Sequence, residues 1–303
     1  MNRETTTMDE ARRQAGPDAH IVGVIDHPVA HSLSPLLHEA AFAELGLHGR
    51  WRSFAFAVPE GQAADALDAL RRNDLTGVSV TMPHKAAVAG LVDECSDVAG
   101  RLEAVNCVVN RGGALWGTNT DGEGFVASLR RGAGFEPAGR CCLVVGAGGA
   151  ARAVILALAT AGAARVDVAN RTPERARAAA ALAGASGSVV DLAEAGSLVA
   201  VVAAADLVVN ATPVGMAGTS GASREGAWLV DPGLLRPGQV AVDLVYAPRR
   251  TPWLEAAASQ GATALGGLGM LVHQAAAQIS LWTGSEAPIE AMWRAADAAD
   301  LTT

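Results

Sequence analysis

The sequence has no surplus of positive charge. Its 303 residues carry 23 Lys and Arg against 31 Asp and Glu, a formal net charge of -8. A phosphate backbone needs a basic counter-surface, so this balance argues against a nucleic-acid partner. It still permits a small anionic ligand held by a local pocket of Lys, Arg and hydroxyls. Charge of either sign is sparse, at 18% against 50% hydrophobic residues, which excludes a wholly disordered chain. Glycine (34) and proline (13) are near ordinary usage, so collagen-like and low-complexity readings fall away. Cysteine is scarce, and Cys95, Cys107, Cys141 and Cys142 lack metal-ligand spacing. They read as inert thiols of a reducing cytoplasm, with one of the adjacent pair in a core and the other on the opposite face of a strand. The seven histidines are scattered, with no HExxH-type pair, so no metal site is expected. Long apolar runs are missing too. The longest, such as Ser197 to Ala205, are too short to span a bilayer. The first nineteen residues are polar and lack the apolar stretch of a secretory signal, so a frayed tail is expected over 1–19. The expectation is a soluble, cytoplasmic protein with no membrane partner.

What is present is an alternation. Short β-rich runs alternate with Ala-rich helical stretches and no internal repeat, the pattern of an α/β fold with a parallel sheet. The length allows one large or two medium domains. Strands are expected at 21–25, 52–58 and 77–80, helices at 35–45 and 60–72, and a hairpin of 104–110 with 114–117 around Arg111-Gly112-Gly113. Ser34 is expected to cap the first of these helices, with Pro35 at its first position. Near Asp121 the texture changes. A helix from about 123 to 131 leads to a strand at 141–145, a glycine-rich turn and an Ala-rich helix to 161. Strands at 165–169, 207–210 and 239–245 follow, with a helix at 173–183. Helices at 269–283 and 288–299 close the chain and are expected to cross back to the first domain.

The turn Gly146-Ala147-Gly148-Gly149-Ala150-Ala151 is the most legible signal. A helix N-terminus offers free N–H groups and partial positive charge, and glycine lets the backbone approach a pyrophosphate. The end of the next strand carries Asn170-Arg171-Thr172, with Arg175 one turn on. An acidic residue there would repel a 2′-phosphate, whereas a guanidinium forks onto it, so this arrangement predicts NADP rather than NAD; a helix cap with two solvated arginines is the alternative. Asn210-Ala211-Thr212-Pro213 follows another strand, where ligand loops gather; a plain polar turn fits the spacing equally well.

Three further motifs carry polar chemistry. Ser32 and Ser34 can both donate to a carboxylate at a helix N-terminus, or Ser34 can be a cap alone. Thr81-Met82-Pro83-His84-Lys85 ends a strand with a lysine, suited to acid–base work if desolvated beside a cofactor and otherwise a solvated loop residue. Asn119-Thr120-Asp121-Gly122 stands where the domains join; Asp121 can fix a lysine by hydrogen bonding or merely cap the following helix.

Taken together and in order, Pro28 to Pro35, Val80 to Lys85, Ala104-Val105-Asn106, Asn119 to Gly122, Gly146 to Ala151, Asn170 to Thr172 and Gly267-Leu268-Gly269-Met270-Leu271-Val272-His273-Gln274 resemble the shikimate dehydrogenase family, over about residues 20–299. The resemblance implies a two-domain α/β fold. An N-terminal α/β substrate domain (20–120, completed by C-terminal helices in 266–303) and a Rossmann-like NADP-binding domain (121–265) would have a cleft between them. It implies that Ser32 and Ser34 bind the substrate carboxylate with Tyr246 nearby. Thr81, Lys85, Asn106, Asp121 and Gln274 would hold the ring hydroxyls, and Lys85 and Asp121 would be the catalytic pair. Gly146, Gly148, Gly149 and Ala150 would cradle the pyrophosphate. Asn170, Arg171, Thr172 and Arg175 would serve the adenosine 2′-phosphate end, with Thr212, Gly267 and Met270 at the cofactor. The implied activity is reversible NADPH-dependent reduction of 3-dehydroshikimate to shikimate, in aromatic amino acid biosynthesis, by a monomer or homodimer. A relative acting on quinate or an aminoshikimate, or a non-catalytic sensor of such ligands, are the alternatives. Two positions depart from the family pattern. Asp26 replaces a usual glycine and adds a carboxylate at the mouth of the site, and Ser79 replaces a frequent Asn.

Overall fold

The computed structural model describes residues 5–29, 32–194, 196–215, 228 and 230–299. Ala30 and His31 of the first motif, and the end of the C-terminal segment after 299, lie outside the described residues. The chain forms two compact units. One runs to Thr120 and resumes at Gln274–Ala299; the other is Asp121–His273.

The first unit opens on a helix, α1 (Met8–Ala15), with Met8 and Ala11 buried. Thr7 and Glu10 cap it reciprocally. Thr7 Oγ1 accepts from the Glu10 amide at 3.2 Å, and Glu10 Oε2 accepts from the Thr7 amide at 2.9 Å. Arg12 then fastens the helix, donating to the carbonyls of Gly16, Ala19, Asn73 and Asp74 at 2.8–3.0 Å. The expected frayed tail is thus corrected over residues 8–15, because one arginine satisfies several backbone acceptors and two apolar side chains join the core.

There follow β1 (His20–Asp26), α2 (Ser34–Glu44), β2 (Trp51–Ala57), α3 (Ala63–Arg72), β3 (Gly77–Val80), α4 (Lys85–Ala89), β4 (Glu94–Cys95), α5 (Asp97–Leu102), β5 (Cys107–Arg111) and β6 (Ala114–Thr118). They build a six-stranded sheet in the order β2-β1-β3-β5-β6-β4. β1 lies parallel to both β2 and β3. The hairpin β5–β6 runs antiparallel to β3 at its join, so this sheet is mixed rather than wholly parallel. Ser34 is not the cap of α2. Leu33 holds that position without a side-chain cap, Pro35 is the second helical residue, and the buried Ser34 sends its amide to Ser32 Oγ at 3.4 Å.

The second unit contains α6 (Asp121–Ala133), β7 (Cys141–Val145), α7 (Gly149–Thr160), β8 (Arg165–Ala169), α8 (Pro173–Ala180), a 3-10 turn (Ala181–Ser186), β9 (Gly187–Val189), α9 (Ser197–Ala204), β10 (Leu207–Asn210), β11 (Val240–Asp243), α10 (Pro252–Ser259) and β12 (Thr263–Gly266). Its six strands are all parallel, in the order β12-β11-β10-β7-β8-β9. Such a sheet buries both faces, which is why β7 and β10 read as unbroken apolar runs. The two faces sort by alternation. Cys142, Val144, Val166, Val168, Leu207 and Val209 join one core. Leu143, Val145, Ala169, Val208 and Ala241 join the other. Cys142 is accordingly buried, while Cys141, one residue earlier, is only half-buried.

α11 (Leu268–Thr283) and α12 (Ile289–Ala298) complete the chain. The expected boundary at 265 moves to His273, because the first turn of α11 follows β12 with only Gly267 between and stays with the second unit. From Gln274 on, α11 belongs to the first unit, where the Trp282 indole donates to Val108 O at 3.1 Å. Arg294 of α12 pairs with Glu44 of α2 at 3.1 Å on an exposed face. No described helix is long and apolar enough to cross a membrane.

Candidate active site

In the first unit three chain segments converge at the C-terminal ends of β1 and β3. The Thr81 amide donates to Ile25 O at 3.2 Å, and the His84 amide closes a turn onto Thr81 O at 2.9 Å. The buried His84 ring donates from Nε2 to Val58 O at 2.8 Å, which fixes the start of α4 and its first residue, Lys85. Lys85 is half-buried, and its carbonyl accepts from Val105 N at 2.9 Å. The next residue, Asn106, accepts from Val80 N through its carbonyl at 2.7 Å. Strand end, helix start and the β5 approach are therefore locked together by backbone.

Asn106 is the centre of a polar cluster. Its side chain is 1% exposed. Oδ1 accepts from the Thr120 amide at 2.8 Å, and Nδ2 donates to Thr120 Oγ1 at 3.1 Å and Gln274 Oε1 at 3.3 Å. Gln278, one turn after Gln274, donates to Asn106 O at 3.1 Å and to Gln274 Oε1 at 2.9 Å. Thr120 Oγ1 donates to Gln274 O at 3.1 Å. The structure thus joins the expected substrate residues Asn106 and Gln274. It adds Thr120 and Gln278, which the sequence reading did not assign. The signal for Gln278 is its four-residue spacing from Gln274, which puts both amides on one helix face. Thr81, next in sequence to Val80, is half-buried, as is Ser32 before α2.

Asp26 ends β1 in register with Ala57 and one residue past the Ile25–Val80 pair. Its Oδ1 accepts from the His27 amide at 2.7 Å. Burial pushes this carboxyl up to about 6 from an ordinary 3.8, against the pull of the His27 amide and the charges of His27 and Lys85. Between those values the folded chain holds a proton that the unfolded chain has released. The associated stability is therefore present at low pH and is lost as pH rises through about 6. Asp26→Asn should be neutral near pH 4 and progressively stabilising relative to the parent by about pH 7. Denaturant midpoints at the two pH values check this, and an equal difference at both would contradict it.

In the second unit Asp121 is the first residue of α6 and is 5% exposed. Gly122, beside it, allows α6 to press onto α7, since an added Cβ would meet Ala153 O and the Ala157 methyl at 2.8 Å. The glycine turn follows β7. Gly146 sits at φ 115°, a left-handed conformation that an L side chain resists, and a Cβ there would lie 3.0 Å from Ala211 O. Gly148 and Gly149 are exposed, and a Cβ on either would meet nothing. α7 begins at Gly149 with no side-chain cap on its N–H groups. Open space before uncapped amides at the end of a buried parallel strand fits a dinucleotide pyrophosphate. Ala150 lies in the first turn of α7, and Ala151 is fully buried against the sheet.

The other expected cofactor residues ring the same sheet edge. Asn170 follows β8 and donates from Nδ2 to Thr172 O at 3.0 Å. Arg171, Thr172 and Arg175 are exposed at the start of α8. Thr212 lies past β10, its hydroxyl donating to Asn210 Oδ1 at 2.7 Å. Tyr246, expected at the substrate rather than the cofactor, follows β11 and is half-buried. Gly267 is buried, and Met270 rests against the core of the second unit. Among the described residues no group of three or more His, Cys, Asp or Glu side chains is arranged to hold a metal ion.

An all-parallel sheet with a glycine turn between strand and helix, joined to a second α/β unit carrying a lysine and a buried amide cluster, defines the class of dinucleotide-dependent oxidoreductases. Sequence comparison narrows it. The shikimate dehydrogenase substrate binding domain matches residues 24–108, the shikimate / quinate 5-dehydrogenase domain residues 134–216, and the shikimate 5′-dehydrogenase C-terminal domain residues 267–296. A shikimate dehydrogenase (NADP(+)) of Moorella thermoacetica is 47% identical over 278 residues, 90% of this chain and 91% of that one. Another, from Symbiobacterium thermophilum, is 44% identical over 96% of this chain and 98% of its own. The crystal structure of shikimate 5-dehydrogenase from Thermus thermophilus in complex with NADP(H) and shikimate superposes with a TM-score of 0.81. It is 38% identical, covering 92% of this chain and 98% of that one. The chain belongs to the shikimate dehydrogenase family of oxidoreductases.

Proposed function

We propose that this enzyme catalyses the reversible reduction of 3-dehydroshikimate to shikimate with NADPH, in the cytoplasmic route to aromatic amino acids. The observation that carries the reading is the buried group of Asn106, Thr120 and Gln274, hydrogen-bonded side chain to side chain next to the backbone that holds Lys85. Fixed amides of this kind can present donors and acceptors to ring hydroxyls without reorganising. In this reading Thr81, Lys85, Asn106, Asp121 and Gln274 hold the ring hydroxyls, while Ser32 and Ser34 take the carboxylate, with Tyr246 beside it. NADPH supplies a hydride when bound. Gly146, Gly148, Gly149 and Ala150 receive its pyrophosphate. Asn170, Arg171, Thr172 and Arg175 receive the 2′-phosphate end, and Thr212, Gly267 and Met270 line the remainder. Lys85 delivers the proton to the carbonyl oxygen as it becomes an alcohol, and Asp121 orients the amine. In the reverse direction the same amine takes the proton from the hydroxyl.

Initial rates with shikimate and quinate, each with NADP+ and NAD+, test this directly. Shikimate with NADP+ should be the preferred pair. Replacing Arg171 and Arg175 together by Ala should raise KM for NADP+ by roughly 10–100-fold and leave KM for NAD+ nearly unchanged, since only the 2′-phosphate needs the guanidinium forks. Equal effects on both cofactors would remove the arginines from that role. Faster turnover of quinate would replace the substrate.

A further inference from the structure

Strand β11 ends on a carboxylate that the reaction above does not use. Asp243 is completely buried and stands opposite Asn210 in the parallel pair β10–β11. Its Oδ1 accepts from Asn210 Nδ2 at 3.2 Å and from the Val245 amide at 3.1 Å, and its Oδ2 accepts from Thr251 Oγ1 at 2.7 Å. Thr251 in turn caps α10, accepting from the Leu254 amide at 3.3 Å. The arrangement asks for an acceptor on every side. Three donors converge on one side chain, and an ionised carboxylate is the side chain that accepts from several directions while offering no donor of its own. Burial raises the carboxyl's pKa, and the Thr251, Val245 and Asn210 bonds oppose that rise.

The bond to Asn210 has a directional consequence. An amide has a donor end and an acceptor end, and its neighbours decide which way it faces. Nδ2 donates to Asp243 at 3.2 Å and more weakly to Val214 O at 3.5 Å, which leaves Oδ1 of Asn210 for the following loop. There it accepts from the Thr212 amide at 3.2 Å and the Thr212 hydroxyl at 2.7 Å. Thr212 Oγ1 then accepts from the Val214 amide at 3.4 Å. This loop is pressed on the glycine turn. The Ala211 amide donates to Val145 O at 2.8 Å, and the Cβ direction of Gly146 points at Ala211 O and at Thr212 Cγ2, 3.4 Å away. One unbroken chain of contacts therefore runs from Asp243 through Asn210 and Thr212 to the first glycine of the pyrophosphate turn.

We propose that Asp243 is a positioning residue of the cofactor site: it sets the orientation of the Asn210 amide and, through it, the Thr212 hydroxyl and the wall that Ala211 and Thr212 form against Gly146. The proposal rests on the reading of Thr212 and the glycine turn as the dinucleotide site. It concerns affinity for the cofactor rather than the chemistry at Lys85.

The test uses the full-length enzyme and titration calorimetry with NADP+, a readout independent of turnover. Asp243→Asn should weaken NADP+ binding by about tenfold, the cost of a lost charge-assisted hydrogen bond, while KM for shikimate moves by about twofold or less. Thr212→Val should weaken NADP+ to a similar degree. The double variant should be no worse than either single, because both act on one contact. Thr251→Val is the structural control. It removes the partner on the other carboxylate oxygen, so it should lower the melting temperature through the α10 cap and leave NADP+ affinity near the parental value. Additive losses in the double variant would overturn the proposal, as would an equal loss of NADP+ affinity in Thr251→Val or unaltered affinity in Asp243→Asn. The substrate and cofactor preferences measured on the parent enzyme stand or fall separately from these outcomes.

Discussion

Lys85→Ala should cut turnover by roughly 10²–10⁴-fold, the usual contribution of a positioned proton donor, while shikimate still binds. The lysine is the first residue of α4, a short helix whose entry is fixed by the His84 ring on Val58 O and whose carbonyl is held by Val105 N. None of those anchors involves its own amine, so truncating the side chain removes the proposed proton donor and leaves the loop in place. The buried residues Asn106, Thr120 and Gln274 stay bonded to one another. Single-turnover rates combined with shikimate titration separate the two effects. Near-normal turnover would end the proton-transfer role of Lys85, and a loss of binding as large as the loss of rate would make it a binding residue alone.

Asn106→Ala should be the most damaging change to the first unit among the site residues. It withdraws the acceptor of the buried Thr120 amide and one partner of the Gln274 amide, and it leaves a void where the side chain was. Each stranded buried polar group costs about 1–3 kcal/mol, so a loss of about 2–4 kcal/mol is expected. For a chain of this size that is a fall in melting temperature of about 3–6 °C, with KM for shikimate rising in parallel. Thermal unfolding with and without shikimate measures both. A variant melting with the parent would mean that the cluster contributes little to stability.

Strands buried on both faces were easy to read because apolar residues dominate them, with single polar residues such as Ser79 and Asp167 buried among them. Gly77–Val80, Cys141–Val145, Arg165–Ala169 and Leu207–Asn210 stand in the structure where the apolar runs placed them. Edge strands were not. Gly187–Val189 and Thr263–Gly266 lie at the two rims of their sheet, short and built of small residues whose pairing is decided by neighbours far along the chain. α1 was missed although the spacing Thr7 to Glu10 marks a capping box, because its helix is only eight residues long and its anchorage comes from carbonyls near residue 73. The motifs carried the site further than composition could. They marked Asn106 and Gln274, but not that Gln278 and Thr120 join them in one group, which depends on a helix returning from the other end of the chain. Asp243 was invisible for a related reason: a lone acidic residue ending a strand acquires meaning only beside Asn210.

That returning helix imposes an order of events on biosynthesis. Gln274 lies 168 residues after Asn106, and Trp282 lies 174 residues after Val108. At about 5–20 residues per second, a ribosome needs on the order of 10–30 s to deliver the partner of the first segment after that segment has emerged. Throughout that interval the nascent sheet of β1, β3 and β5 stands without the tryptophan that later closes over it, while the all-parallel second unit, contiguous in sequence, completes itself first. The half of the enzyme made earliest is thus the last to finish folding, and it is the half a chaperone would have most reason to hold.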